Sequence, residues 1–97
     1  MIDRSGDIIG VYNKNYLVAS EVSGGMLCGK DISIIDCDFG RVACVICFDI
    51  AFDELLHRYA GEKADLIVFS SWSKEGMLQN YRAYTCRSHL IESAYDQ

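Results

Sequence analysis

Proline does not occur once in the 97 residues, although average usage of about 5% would supply several. Turns must therefore come from glycine and short polar clusters rather than from a stiffened ring. Basic residues are few as well, nine Lys and Arg against fourteen Asp and Glu, giving a net charge of −5 and a pI near 4.8. They are scattered, and the absence of a clustered positive patch argues against a nucleic-acid partner. Long apolar runs are missing too: Val42 to Ile46 and Leu66 to Phe69 fall far short of the roughly 20 residues that span a bilayer. The start, Met1-Ile2-Asp3-Arg4-Ser5-Gly6, has no charged-then-apolar leader pattern, so no membrane association is expected. The five cysteines are an odd number spaced along apolar runs rather than as a loop framework. This favours a reduced, cytoplasmic chain over a disulfide scaffold.

What is present suffices for one small domain at most: half the residues are apolar, enough for a core. Asp7-Ile8-Ile9-Gly10-Val11-Tyr12 has the β-branched and aromatic content of a strand, closed by the polar turn Asn13-Lys14-Asn15. From Leu17 to Lys30, serines and glycines break any periodicity, so a long loop is expected, and such loops are functional or disordered. Ile32–Cys37 and Arg41–Ile46, joined by Asp38-Phe39-Gly40, read as a hairpin. Phe52, Leu55, Leu56 and Tyr59 then repeat at helical spacing, with Asp53 and Glu54 early and His57 and Arg58 late, as the helix dipole favours. Ala64 to Phe69 is a continuous apolar strand, and a strand, helix and strand in succession predict a parallel pair. Ser70-Ser71-Trp72-Ser73 follows at its carboxyl end, where open α/β sheets hold ligands. Beyond Glu75, Met77, Tyr81, Tyr84, Ser88, Ile91 and Tyr95 share one helical face, which predicts a closing amphipathic helix.

The stretch from Gly40 to Glu54 carries the chemistry. An apolar strand runs into Cys47, and an acidic, helix-opening segment follows. A side chain at such a junction projects from the end of a sheet toward free helix N–H groups, the setting in which a cysteine serves as a nucleophile. An apolar run ending in a buried structural Cys has the same appearance. The pair Cys44 and Cys47 does not make a redox motif, because Val45 and Ile46 are strand formers and residues three apart in a strand point to opposite faces. A zinc site would need a second paired set of ligands, which Cys28, Cys37 and His57 do not supply, so no metal is expected.

These segments resemble the nitrilase, or carbon–nitrogen hydrolase, superfamily. Gly10-Val11-Tyr12-Asn13-Lys14-Asn15-Tyr16-Leu17 is similar to that family's lysine segment, Phe39 to Glu54 to its cysteine segment, and Val68 to Trp72 to the strand and loop beyond. The resemblance implies an α/β fold, part of a four-layer αββα sandwich, with residues 1–97 forming part of one hydrolase domain. It implies hydrolysis of a non-peptide carbon–nitrogen bond in a small amide, nitrile or N-carbamoyl substrate, through a thioester and without a cofactor. Cys47 becomes the nucleophile, Lys14 the partner of the developing oxyanion, and Glu21 the acid that positions lysine and substrate. Phe48, through its backbone N–H, and Trp72 become substrate-binding residues. Read singly, Lys14 is also an ordinary surface lysine, Glu21 a solvated loop acid and Trp72 a half-buried aromatic. Dimers or larger assemblies are common in the family, so a homo-oligomer is expected.

The departures from the pattern are specific. The family's general-base glutamate belongs to a segment before the lysine segment, and no residue here matches it by motif. Asp53 and Cys28 stand where proline is common. The expectation is thus a middle portion of the domain, closing within or just after a helix, with an inactive truncated product having an interaction role as the alternative.

Overall fold

The computed structural model describes residues 1–95. A four-stranded sheet runs through it in the order β1 (Ile34–Cys37), β2 (Gly40–Ile46), β3 (Leu66–Ser71) and β4 (His89–Ala94). The β1–β2 hairpin is antiparallel, in register from Ile34↔Ala43 to Cys37↔Gly40. β3 is parallel to β2 and β4 parallel to β3, with Ile46 beside Ser70 and Ser71 beside Ala94. Three strands therefore present their carboxyl ends at one edge. A 3₁₀ turn (Cys47–Ala51) and the helices α1 (Ala19–Ser23), α2 (Asp53–Gly61) and α3 (Met77–Cys86) complete the architecture.

Alternation along the strands decides which side is covered. Ala43, Val45, Ile67 and Phe69 are at most 1% exposed and pack against Leu55, Leu56 and Tyr59 of α2 and Cys86 of α3. Fully burying each large apolar side chain contributes about 1.5–3 kcal/mol, so this helix-covered face is where the fold is held. On the opposite face Ile35 and Val42 are buried, with Gly10 lying directly against the Ile35 side chain. The row Cys44, Val68 and Ile91, adjacent in register, is covered only in part: Cys44 and Val68 are half-buried, and Ile91 is 56% exposed. The α/β class is as expected, and the described residues make one helical layer over one sheet of the implied sandwich. Among them no helix is long and apolar enough to cross a membrane.

Hairpin, α2 and β3 lie where the sequence pattern puts them; three other segments differ. Asp7 to Tyr12 is not a strand. Its one ladder contact is the isolated Ile2↔Ile8 bridge, and instead of pairing it crosses the sheet face, the Val11 carbonyl accepting the Ser33 hydroxyl at 3.1 Å. The 17–30 loop contains α1. The closing helix stops at Cys86, because Arg87 turns left-handed (φ 53°). Ser88 N–H then bonds the Ala83 carbonyl and Arg87 N–H that of Tyr84, a Schellman closure made without glycine. Ser88, Ile91 and Tyr95 consequently lie outside the helix, and the described chain ends on β4 rather than on a helix. The face predicted to be buried is the exposed one: Met77, Tyr81 and Tyr84 face solvent, while Gln79, Arg82 and Cys86 point inward.

Candidate active site

Cys47 is the first residue after β2 and opens the 3₁₀ turn with φ 49°. A non-glycine residue in that region is uncommon, costs on the order of 1–3 kcal/mol, and persists only where its surroundings over-determine it. The determinant is Asp49, which is fully buried. One carboxylate oxygen accepts the backbone N–H groups of Asn15 and Tyr16 at 3.1 and 2.8 Å. The other accepts the Ile46 N–H at 3.1 Å and the Tyr12 hydroxyl at 2.7 Å. Tyr12 in turn accepts the Asn15 side-chain amide at 2.9 Å. The lysine segment and the cysteine turn are thereby bound to one carboxylate.

Lys14, between these anchored residues, is nearly buried and donates to both carboxylate oxygens of Glu21 at 2.7 Å. Glu21 also accepts the Val18 N–H at 2.9 Å. It thus reaches back from the third helical position to the residue that caps α1. Asp49 does the same at the 3₁₀ turn through Ile46, so one local device fixes an acid on each side of the site. The Lys14 ammonium, followed by the Val18 N–H, holds the Glu21 carboxyl below its ordinary range. Burial, followed by its bond to Asp49, pushes the Tyr12 phenol far up, so it stays a donor.

Gly29 closes the other side of the lysine segment. Its N–H bonds the Lys14 carbonyl at 2.7 Å, and a Cβ there would collide with the Asn13 carbonyl oxygen. Cys28, which stands where proline is common, immediately precedes this close approach and is exposed. Asp53, the other departure from the pattern, forms an ion pair with Arg82 of α3, and Arg82 Nε bonds the Ile50 carbonyl at 2.9 Å.

Of the residues singled out in the sequence, the structure joins Lys14 to Glu21 directly and to the Cys47 turn through Asp49. Phe48, partly exposed, meets Phe52 edge-on at 5.0 Å, and Phe52 stacks on Tyr16 at 3.8 Å. Trp72 follows β3 at the same sheet edge but takes a different partner, stacking on Tyr95 at 4.9 Å. All five cysteines are free thiols. Burial raises the Cys44 and Cys86 thiols, which disfavours their thiolates. Among the described residues no group of three or more His, Cys, Asp or Glu is placed to hold a metal ion. Asp49 and Arg82 are the residues that sequence reading missed. Asp49 stood inside the quoted cysteine segment as an acid within an apolar run, which was the available clue to a buried, bonded carboxylate.

Known proteins carry the same arrangement of elements. The amidase NitN from Nesterenkonia sp. AN1 superposes with a TM-score of 0.82 at 20% identity, over 96% of this chain and 39% of that one. Nit3 of Saccharomyces cerevisiae, a member of branch 10 of the nitrilase superfamily, superposes with a TM-score of 0.79 at 22% identity, over 92% and 35%. At these identities the likeness is one of fold. In sequence, a protein of Schizosaccharomyces pombe named as a probable nitrilase is 34% identical over 70 residues, 72% of this chain and 25% of that protein. The chain thus spans about a quarter to two fifths of the length of these relatives. The carbon-nitrogen hydrolase family model matches residues 1–95, which takes in the strained cysteine turn, the lysine segment and the sheet that carries them, and the chain belongs to that family.

Proposed function

We propose that the protein hydrolyses a small amide, nitrile or N-carbamoyl compound through a thioester on Cys47, with residues 1–97 as part of one hydrolase domain. The observation that carries this reading is the Asp49 junction, which ties the Lys14–Glu21 pair to the turn bearing Cys47. For an amide, the Cys47 sulfur attacks the carbonyl carbon, the C–N bond breaks, and the nitrogen leaves as ammonia with the thiol proton. Water then cleaves the C–S bond, releasing the acid and the thiol, so one difficult step becomes two easier ones. Each attack places negative charge on the substrate oxygen. Lys14 and the Phe48 N–H are the donors for it, and loss of one such donor typically costs a few kcal/mol. Glu21 holds the lysine in place, and Phe48 and Trp72 line the path of the substrate. A reducing, cytoplasmic setting, read from the odd number and spacing of the cysteines, and self-association into a homo-oligomer belong to the same reading.

The test is ammonia release from a panel of small amides by the full-length protein, with intact-mass detection of an acyl adduct on Cys47. Activity lost in Cys47→Ala together with the adduct supports the proposal. Activity retained in Cys47→Ala overturns it, and a folded protein inactive on the whole panel would favour a catalytically silent chain with an interaction role.

A further inference from the structure

We infer that Asp49 is a positioning residue for the reaction, acting through the two segments it bonds rather than by touching substrate. The inference rests on the hydrolase reading of Cys47 and Lys14. Three observations carry it. The carboxylate is fully buried, yet its bonding partners are all N–H or O–H donors, four in number. Those donors come from two places, Ile46 immediately before the cysteine and Tyr12, Asn15 and Tyr16 flanking the lysine. The residue carrying the positive φ lies between Ile46 and Asp49, inside the loop that the Asp49–Ile46 bond closes. A side chain needed only for packing would not require a charged acceptor at this point. One that fixes the distance between nucleophile and oxyanion donor would, because small misplacements of reacting groups cost about 10²-fold in rate.

The chemistry of the substitution makes the inference testable. An asparagine has the same shape but presents one NH₂ where the carboxylate presents oxygen. Set toward Asn15 and Tyr16, that NH₂ faces two backbone N–H groups. Set toward Ile46, it faces one, and only the Tyr12 hydroxyl can turn to accept. Either way a buried donor loses its acceptor, and the lysine segment or the cysteine turn shifts.

The experiment compares Asp49→Asn, Tyr12→Phe, Lys14→Ala and Asp49→Asn/Lys14→Ala in the full-length protein, per folded molecule. It reads kcat, KM and the rate at which Cys47 takes up iodoacetamide, located by peptide mass. Asp49→Asn should lower kcat by about 10²-fold with KM changed by less than about threefold, and slow alkylation of Cys47. Tyr12→Phe should shift kcat and alkylation in the same direction by less, and it carries the test if Asp49→Asn does not fold. The double variant should be little worse than Lys14→Ala alone, since the carboxylate works partly by holding that lysine. Unchanged kcat and alkylation in Asp49→Asn or in Tyr12→Phe, or fully multiplicative losses in the double variant, overturn the inference. Activity surviving in Cys47→Ala would instead overturn the hydrolase reading beneath it.

Discussion

Arg82 Nε donates to the carbonyl oxygen of Ile50 at 2.9 Å, so the third helix is bonded to the turn that begins at Cys47. The same guanidinium pairs with Asp53 at 2.5 Å, but the two side chains are unequally placed: Arg82 is 5% exposed and Asp53 81%. The consequences of removing them should be unequal too. Arg82→Ala leaves a carbonyl without its donor and empties a packed site, a loss of about 1–3 kcal/mol or more. Asp53→Ala removes a carboxylate that is itself solvated but leaves the nearly buried guanidinium without it, so it should cost about 1–2 kcal/mol, less than the loss of Arg82 with its carbonyl bond and packing. Urea unfolding of the two variants checks this, and equal losses would contradict it. Arg82→Lys should not restore stability, because an ammonium cannot serve both partners from one planar fork.

A second expectation concerns acid. The Glu21 carboxyl is held below the ordinary value of 4.5, first by Lys14 and then by the Val18 N–H. A lowered carboxyl supports the folded state above the unfolded value and loses that support as pH falls through the folded one. The Lys14–Glu21 contact should therefore persist through neutral pH and open only below 4.5. Carboxyl-carbon NMR titration of Glu21 checks this, and in Lys14→Met the midpoint should return toward the ordinary value. A midpoint indifferent to Lys14 would mean that the 2.7 Å contacts do not form in solution.

The alkaline limb has the opposite sign. Tyr12 and Tyr59 are both raised well above 10.0, each chiefly by burial, and the Tyr59 hydroxyl donates to the Cys44 carbonyl at 2.7 Å. The folded chain keeps both phenols protonated, whereas the unfolded chain ionises them near 10.0. Stability is thus fully present below that pH and falls as pH rises above it. Denaturant unfolding measured at steps across this range should show the decline, with the tyrosinate absorbance of these two residues appearing only on unfolding. Tyr59→Phe and Tyr12→Phe should each flatten the decline, whatever they do to stability at pH 7.

What the sequence reading reached and what it did not divide along the distance over which the determining contacts act. The hairpin turn Asp38-Phe39-Gly40, the helical spacing of Leu55, Leu56 and Tyr59, and the apolar run of β3 are local patterns, and each element is where its pattern puts it. The end of α3 is also local, but its marker is Arg87 in a left-handed conformation, where glycine is the usual sign. With no glycine to stop the count, Ser88, Ile91 and Tyr95 extended the helical spacing by coincidence. Asp7 to Tyr12 has strand composition, but among the described residues its ladder pairing is the single Ile2↔Ile8 bridge, and composition cannot supply a longer partner. The motifs singled out Cys47, Lys14 and Glu21, and the structure pairs the last two. Asp49 bonds residues 33 to 37 positions away, and Arg82 bonds one 32 positions away. No periodicity carries information at that range.

The last prediction sets two glycines against each other. Gly29 lies so close to the lysine segment that a methyl group would strike the Asn13 carbonyl oxygen, which is backbone and cannot swing aside. Gly29→Ala should force residues 13–14 away from their present path, stretch the bond between Gly29 N–H and the Lys14 carbonyl, and destabilise by about 1–3 kcal/mol. Because Lys14 moves with its backbone, kcat should fall as well. Gly61, the last residue of α2, has open space around the same position. Gly61→Ala adds no contact to clash and narrows the unfolded ensemble, so it should stabilise by about 0.4–1 kcal/mol and leave kcat unchanged. Thermal unfolding and steady-state assays of the two variants side by side decide the matter. If Gly29→Ala matched Gly61→Ala in both measurements, the segment carrying Lys14 would not be held as described, and the geometry assigned to the lysine would fall with it.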